Sequence, residues 1–575
     1  VGRLAARLAL LASLVLLLGW PLLATVLEAS HAPWRLARGL KSLGMDRPAE
    51  LIESAWGSDP EPAVGTALDP AATAQLLEGS GRLARPARLA LETLNLVAAT
   101  LLLALPPAAL LALLLFRTDL WGRGALLAIL AVVVFIPLPL HATAWLGALG
   151  NVGRAQAIGS TPVLVGRTGA AVVHALACFP WAVLIVGVGL RTVEPELEES
   201  ALLDLPLWKV WLRVTLRRGV GAIAAAALAL AVLTAGDMTV TDLLQVRTYA
   251  EEAYTQYSLG RGPGDAAFVT VPPLIVLGGL ILLAARQIAR ADPARLAAAY
   301  ARSRRWSLGR WRIPAGLLTL SLGGVLAAVP LYSLLWRAGR VGGRARLGLP
   351  PVWSPAGLKG TLGYAAAESA GPIALSLVLA ALAACAAAAL AWTLAWTSRR
   401  SRLFGGLLVG ALALTLAAPG PVAGMALKLA YRWFPWIHDT SLIVVLAQAV
   451  RTLPYAILIL WPALAVLPPE LLESAALDGY GPSGQALRVA LPLTWRPLVA
   501  AWFVAFVLGF GELPATNLLL PPGVTTITFQ LWTLLHTGVE SHLAGVALVT
   551  LGVIAVVVLG MLAAAWLVRF ATAAR

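Results

Sequence analysis

Apolar runs of about twenty residues recur along this chain, and they decide what it can become. The runs near 93–116, 169–190, 371–396, 441–466 and 543–568 are almost free of charged residues. A helix rises ~1.5 Å per residue and the hydrocarbon layer is ~30 Å thick, so roughly twenty residues cross it. By the same measure 6–27, 124–147, 219–236, 266–285, 314–336, 404–430 and 497–511 are candidate crossings, six runs in each half. Nothing alternates as a barrel strand does, and backbone in lipid has to satisfy its own hydrogen bonds, which leaves helices. The expectation is an all-α polytopic membrane protein with about 12 transmembrane helices, arranged as two parallel six-helix repeats.

Charge supports this reading. Only 12% of the residues are charged, against about 25% for a soluble protein. The net charge of +15 does not point to nucleic acid, because the Arg residues cluster in short segments between apolar runs, where they orient a protein in a bilayer. Segment 286–312 holds Arg286, Arg290, Arg295, Arg302, Arg304, Arg305, Arg310 and Arg312 against one acid, Asp292. With Arg399, Arg400 and Arg402 it places both termini on the cytoplasmic side; Arg337, Arg340, Arg344, Arg346 and Lys359 count the other way. Val1–Arg7 and the apolar run to Val26 exceed the ~7–15 residues of a signal-peptide core, so this segment reads as a first membrane helix. Cys178 and Cys385 both lie in apolar segments and offer neither a disulfide framework nor metal-ligand spacing. There is no HExxH and no GxxxxGK[ST]. No catalytic group, metal site or cofactor is expected.

The chain repeats itself. Placing Arg213 on Arg488 sets an offset of 275 residues. The same offset carries Leu216 onto Leu491, Gly236 onto Gly511, Asp237 onto Glu512, Thr241 onto Thr516 and Leu243-Leu244 onto Leu518-Leu519. Two six-helix repeats in one orientation are related by an axis along the membrane normal. The expected domains are a first repeat 1–285 with an external loop 28–87, a basic cytoplasmic linker 286–312, and a second repeat 313–575.

Two motifs recur with the repeat. One is polar and lies between apolar runs: Glu199-Ser200-Ala201-Leu-Leu-Asp204 with Arg213 beyond, and Glu473-Ser474-Ala475-Ala-Leu-Asp478-Gly479 with Arg488 beyond. Its acids can meet basic groups of a soluble partner, its small residues let a cleft close round it, and Gly479 permits a sharp exit. The first copy is one residue shorter, with Leu205 and Arg217 where the second has Gly479 and Pro492. An amphipathic loop that merely solvates a turn is the plainer alternative. The other motif ends the fifth helix of each half: Gly236-Asp237 with Thr241, and Gly511-Glu512 with Thr516. An acid at a membrane helix end either lines a path or caps the helix.

The spacing from Glu473 through Gly479 to Val489-Ala-Leu-Pro492 resembles the EAA loop of ABC-importer permeases. Gly-Glu-x-x-Ala-Thr followed by Pro521-Pro522-Gly523 looks like the fused ferric-iron permeases, with thiamine, polyamine and phosphonate permeases as relatives. The resemblance implies that two ATP-binding subunits, a homodimer, dock on Glu199, Ser200, Ala201, Asp204, Arg213, Glu473, Ser474, Ala475, Asp478, Gly479 and Arg488. It implies a path beside Gly236, Asp237, Thr241, Gly511, Glu512 and Thr516, an external binding protein that delivers a small cargo (ferric iron as the first choice), and residence in the inner membrane. An ion-coupled secondary transporter is the alternative; it calls for charges near the middle of membrane helices.

Overall fold

The computed structural model describes residue 21 and residues 81–150, 163–258, 275–283, 305–341, 351–399, 401–537 and 540–573. The expected helix 6–27 apart from Pro21, loop 28–87 up to residue 80, most of 266–285 and linker residues 286–304 lie outside the described residues. The first half contains α1 (Gly81–Arg117), α2 (Arg123–Val134), α3 (Leu138–Leu149), α4 (Gly166–Leu190), α5 (Pro195–Leu202), α6 (Leu207–Arg218), α7 (Val220–Ala235), α8 (Thr239–Leu243) and α9 (Tyr249–Ser258). The second half opens with α10 (Arg312–Gly339), then β1 (Arg340–Val341) and β2 (Val352–Trp353). It continues with α11 (Pro355–Ser398), α12 (Arg402–Ala417), α13 (Gly420–Tyr431), α14 (Leu442–Ala465), α15 (Pro469–Leu477) and α16 (Pro482–Leu493). It ends with α17 (Trp495–Phe510), α18 (Thr516–Leu519), α19 (Ile527–Thr537) and α20 (Glu540–Ala573). Moved by 275 residues, α7 falls on α17 residue for residue, and α4 and α5 fall within one or two residues of α14 and α15. Both α6 and α16 contain a π-wound stretch, Trp211–Thr215 and Gln485–Ala490.

The molecule is an all-α polytopic membrane protein. Six helices are long and apolar enough to cross a bilayer alone, and four bent pairs bring the total to at most ten among the described residues. The runs 124–147 and 404–430, expected as straight crossings, are each broken. α2 and α3 meet at 104°, α12 and α13 at 112°. The cause is proline: Pro137 and Pro419 each stand as the residue before the second helix, with a further proline in its first turn. A proline disfavours helical backbone in the residue before it and then starts a new helix readily. Each arm of twelve residues is only ~18 Å long, so neither α2 nor α3 reaches across. The expected crossings 219–236 and 497–511 correspond to α7 and α17, each bent against the helix before it, by 63° and 76°. The crossing expected at 371–396 is longer than foreseen: α11 has 44 residues, ~66 Å. Its start is fixed by Ser354, whose side chain accepts from Gly357 N at 3.0 Å.

Small residues close the bundle. Ala380, Ala383, Ala384, Ala387 and Ala391 bury one face of α11, which lets α14 and α17 approach, as in membrane helix interfaces generally. The halves interlock. Phe135, Leu140 and Ala144 of the α2–α3 bend share one core with Leu334, Ala338 and Val546 of α10 and α20. Reciprocally, Ile281 packs with Ala413, Leu416 and Ala417 of α12. The chain enters the second half at the end of α1, where Trp306 N donates to Arg117 O (2.8 Å) and Asp119 N to Trp306 O (3.1 Å). α10 runs away from that end, the antiparallel pair β1–β2 reverses the chain, and α11 returns. α1 and α11 therefore finish on one face of the molecule. α5 stands there through its contact with Arg117, and α16 through Thr494, which follows it and accepts from Trp392 of α11 at 2.9 Å.

Candidate functional site: two surface helices and the cavity between the halves

The face where α1 and α11 end carries the two polar motifs as short helices. Pro195 and Pro469 open α5 and α15, with acids in the first turn, Glu196 and Glu198 or Glu470, where the helix dipole favours negative charge. Glu199, Ser200, Asp204 and Arg213 are exposed, and so are Glu473, Ser474, Asp478, Gly479 and Arg488; Ala201 is half-buried and Ala475 buried. Gly479 has φ +83° with open space around it, the left-handed exit the sequence suggested. The first copy leaves its helix without a positive φ: Leu205 N closes on Ala201 O at 2.9 Å, and Pro206 then precedes α6. Arg488 holds its own loop together, with Nη1 donating to Tyr480 Oη at 3.2 Å and the guanidinium 5.1 Å above the ring. Each helix also presents a bare apolar knob, Leu203 (86% exposed) and Leu477 (90%). Sequence reasoning passed over both, although an unpaired Leu one residue before Asp204 and Asp478 was legible.

Between the halves lies a cavity of about 170 Å³. Its wall includes Pro137, His174, Gly236 and Asp237 from the first half, and Arg451, Tyr455, Gly511 and Glu512 from the second. The two acids are buried and both cap a helix while facing the cavity. Asp237 accepts from Thr239 N (3.0 Å) and Val240 N (2.9 Å). Glu512, one methylene longer, reaches one residue further, to Ala515 N and Thr516 N (both 2.8 Å). Cavity wall and helix cap thus fall on the same residues. Thr241 and Thr516 sit behind the wall: Thr241 bonds back to Asp237 O at 3.3 Å, and the Thr516 hydroxyl donates to Glu512.

His174 and Arg451 were not singled out in the sequence, where mid-helix positions read as Ala, Leu and Val. His174 Nδ1 lies 2.8 Å from Ala170 O, and Nε2 lies 3.1 Å from Asp237 Oδ2. Both ring nitrogens thus lie against oxygen atoms, one on its own helix and one on the cavity wall. Arg451 donates through Nη1 to Ala418 O at 2.7 Å, across the α12–α13 break. The open carbonyl left by the proline break is what an arginine in this place satisfies.

Beyond the cavity, on the side away from α5 and α15, the halves are clasped in a pseudo-symmetric way. Asp242 and Asn517 correspond by the 275-residue offset. Asp242 meets His536 of α19 at 3.0 Å, and Asn517 Nδ2 donates to Tyr254 Oη of α9 at 3.2 Å. Met238, Leu513 and Trp532 form an apolar plug beneath, with Tyr254 and Phe529 against it. Tyr254 and Trp532 stand edge to face at 6.3 Å.

Residues 369–573 match the family described as binding-protein-dependent transport system inner membrane component. The second half is similar to such a permease component. No curated protein matches the chain. The permease-like half contains α15, Glu512 and most of α11, so the matched region includes one of the two surface helices and one wall of the cavity.

Proposed function

We propose that the chain is the membrane subunit of an ATP-driven importer, with a permease domain in each half: 1–285 and 313–575, joined by the basic linker 286–312. The observation that carries this is the recurrence of α4–α7 as α14–α17, which extends the likeness of the matched half to the first. Two ATP-binding subunits, a homodimer, dock on α5 and α15 on the cytoplasmic face. Closure on ATP moves the two helices as levers, and the bundles rock about the cavity between inward and outward access. On this reading the Asp242–His536 and Asn517–Tyr254 clasp faces outward, and its contacts are made. An external binding protein delivers the cargo. Ferric iron is the cargo the resemblance favours, ahead of thiamine, a polyamine or a phosphonate. Among the described residues no three His, Cys, Asp or Glu side chains come together to hold a metal ion.

The test uses the purified chain and its ATPase subunits. The chain alone should turn over no ATP, and it should capture two ATPase subunits. Leu203→Asp with Leu477→Asp should abolish capture while leaving the fold intact, because both side chains are almost wholly exposed. Sustained ATP turnover by the chain alone would sink the reading. A second reading, ion-coupled transport, draws on the His174–Asp237 pair and Arg451 inside the bundle. Uptake driven by a proton gradient without the ATPase would establish it instead.

A further inference from the structure

Beside the exposed Glu199, helix α5 turns a second carboxylate inward. Glu198 is fully buried. Its Oε2 accepts from the Arg117 guanidinium and from the Trp306 indole N–H (3.0 Å), and its Oε1 accepts from the Thr215 hydroxyl (2.6 Å). Each donor sits on a different element: the last residue of α1, the strand-like entry to α10, and the π-wound turn of α6. Two bonds to Asp119 strengthen the same junction: Leu308 N donates to its Oδ1 at 2.8 Å, and Arg312 Nε to its backbone O at 2.9 Å. One carboxylate therefore joins the first surface helix to its own half and to the beginning of the other.

Among the described residues the second copy has no buried carboxylate at the matching place. With α15 placed on α5, Leu472 stands where Glu198 does; the 275-residue offset puts Trp392 at Arg117 and Ala490 at Thr215. Leu472 is buried as an apolar residue, and Trp392 gives its N–H to Thr494 instead. Apolar contacts are not directional, so α15 can slide on its bed. Charge-assisted hydrogen bonds are short and geometrically strict, so α5 cannot slide without carrying its partners.

We propose that Glu198 is a positioning residue that transmits displacement of α5 to α1 and α10 together, so that the first surface helix moves both halves while the second moves only its own. The proposal rests on the reading that ATPase subunits dock on α5 and α15. It differs from a packing role, because a buried ion pair replaced by well-packed apolar residues often keeps or raises stability but does not restore a directional tie.

The experiment uses the full chain with its ATPase subunits in lipid vesicles, in a Cys178→Ser, Cys385→Ser background. Spin labels are placed on Leu322→Cys of α10 and Leu458→Cys of α14, both exposed positions. The distance between them is measured without nucleotide and with ATP trapped by vanadate. Two variants cut the tie gently: Trp306→Phe, which deletes one N–H, and Arg117→Leu with Glu198→Leu, which gives α5 the apolar seating of α15. Both should retain ATPase capture and thermal stability, while the ATP-dependent distance change falls to about half or less. Arg117→Lys, which keeps a charge on Glu198, should retain more of the change than the double Leu variant. An unchanged ATP response in the stable double Leu variant overturns the proposal and leaves Glu198 as a packing anchor. If the unmodified chain captures no ATPase, the docking reading itself falls, and this proposal falls with it.

Discussion

His536 carries the most directly testable chemistry at the scale of single residues. The hydrogen bond it donates to the Asp242 carboxylate raises its pKa above the ordinary histidine value, against the opposing effect of partial burial. A histidine with a raised native pKa contributes stability that is fully present below the unfolded value of ~6.5 and is lost as pH rises through the native one. The clasp should therefore loosen on alkalinisation through that window, read as faster thiol labelling of Phe529→Cys, and Asp242→Asn should remove the pH dependence. Glu251, whose own pKa burial raises, and Arg247 lie in the same field, so the window should be taken from the variant comparison. In the cavity, Asp237→Asn and Glu512→Gln each keep a side-chain oxygen that can accept from the first turn of the helix, so the caps should largely survive. The doubly substituted chain should insert normally yet lose uptake. Normal uptake would leave the two acids as caps alone. Removing one partner of the Arg117–Glu198 pair is a different matter: an unpaired buried charge costs roughly 3–5 kcal/mol, so Glu198→Ala should lower the thermal midpoint far more than Glu199→Ala.

At the scale of elements, the two surface helices show what the sequence could and could not tell. Their existence, their spacing and the left-handed Gly479 followed from residue types whose backbone preferences are local. Gly479→Leu should cost about 1–2 kcal/mol from backbone strain alone, since no neighbour crowds the site, and it should lower the denaturation midpoint without a new clash. Leu205→Gly should bring no matching gain, because Leu205 has no positive φ to relieve. The bends were missed for a definite reason: apolar length was counted through Pro137 and Pro419, although each carried the signal for a break. Glu198 was hidden by its neighbour. Two adjacent acids look alike in a sequence, and only the helical phase, with Leu472 at the matching place, separates the buried one from the exposed one. Arg451 was visible as a lone charge in an apolar run, but its use depends on Ala418 O, a carbonyl opened by a proline 32 residues upstream.

At the scale of the whole molecule, the interlock of α10 and α20 with α2–α3, and of 275–283 with α12, means that each half loses part of its core when separated. Expressed apart, the two halves should be stable only when both are made together, and they should co-purify; a first half that is stable alone would contradict this. The junction at Trp306 has a further consequence, because it exists once. In a transporter assembled from two identical chains, every substitution lands on both sides, and left and right are obliged to stay alike. Here each side is written separately, so a change in one need not be suffered by the other. Glu198 opposite Leu472 is such a change. On the proposed reading, two identical motors gripping two unlike handles need not deliver equal strokes.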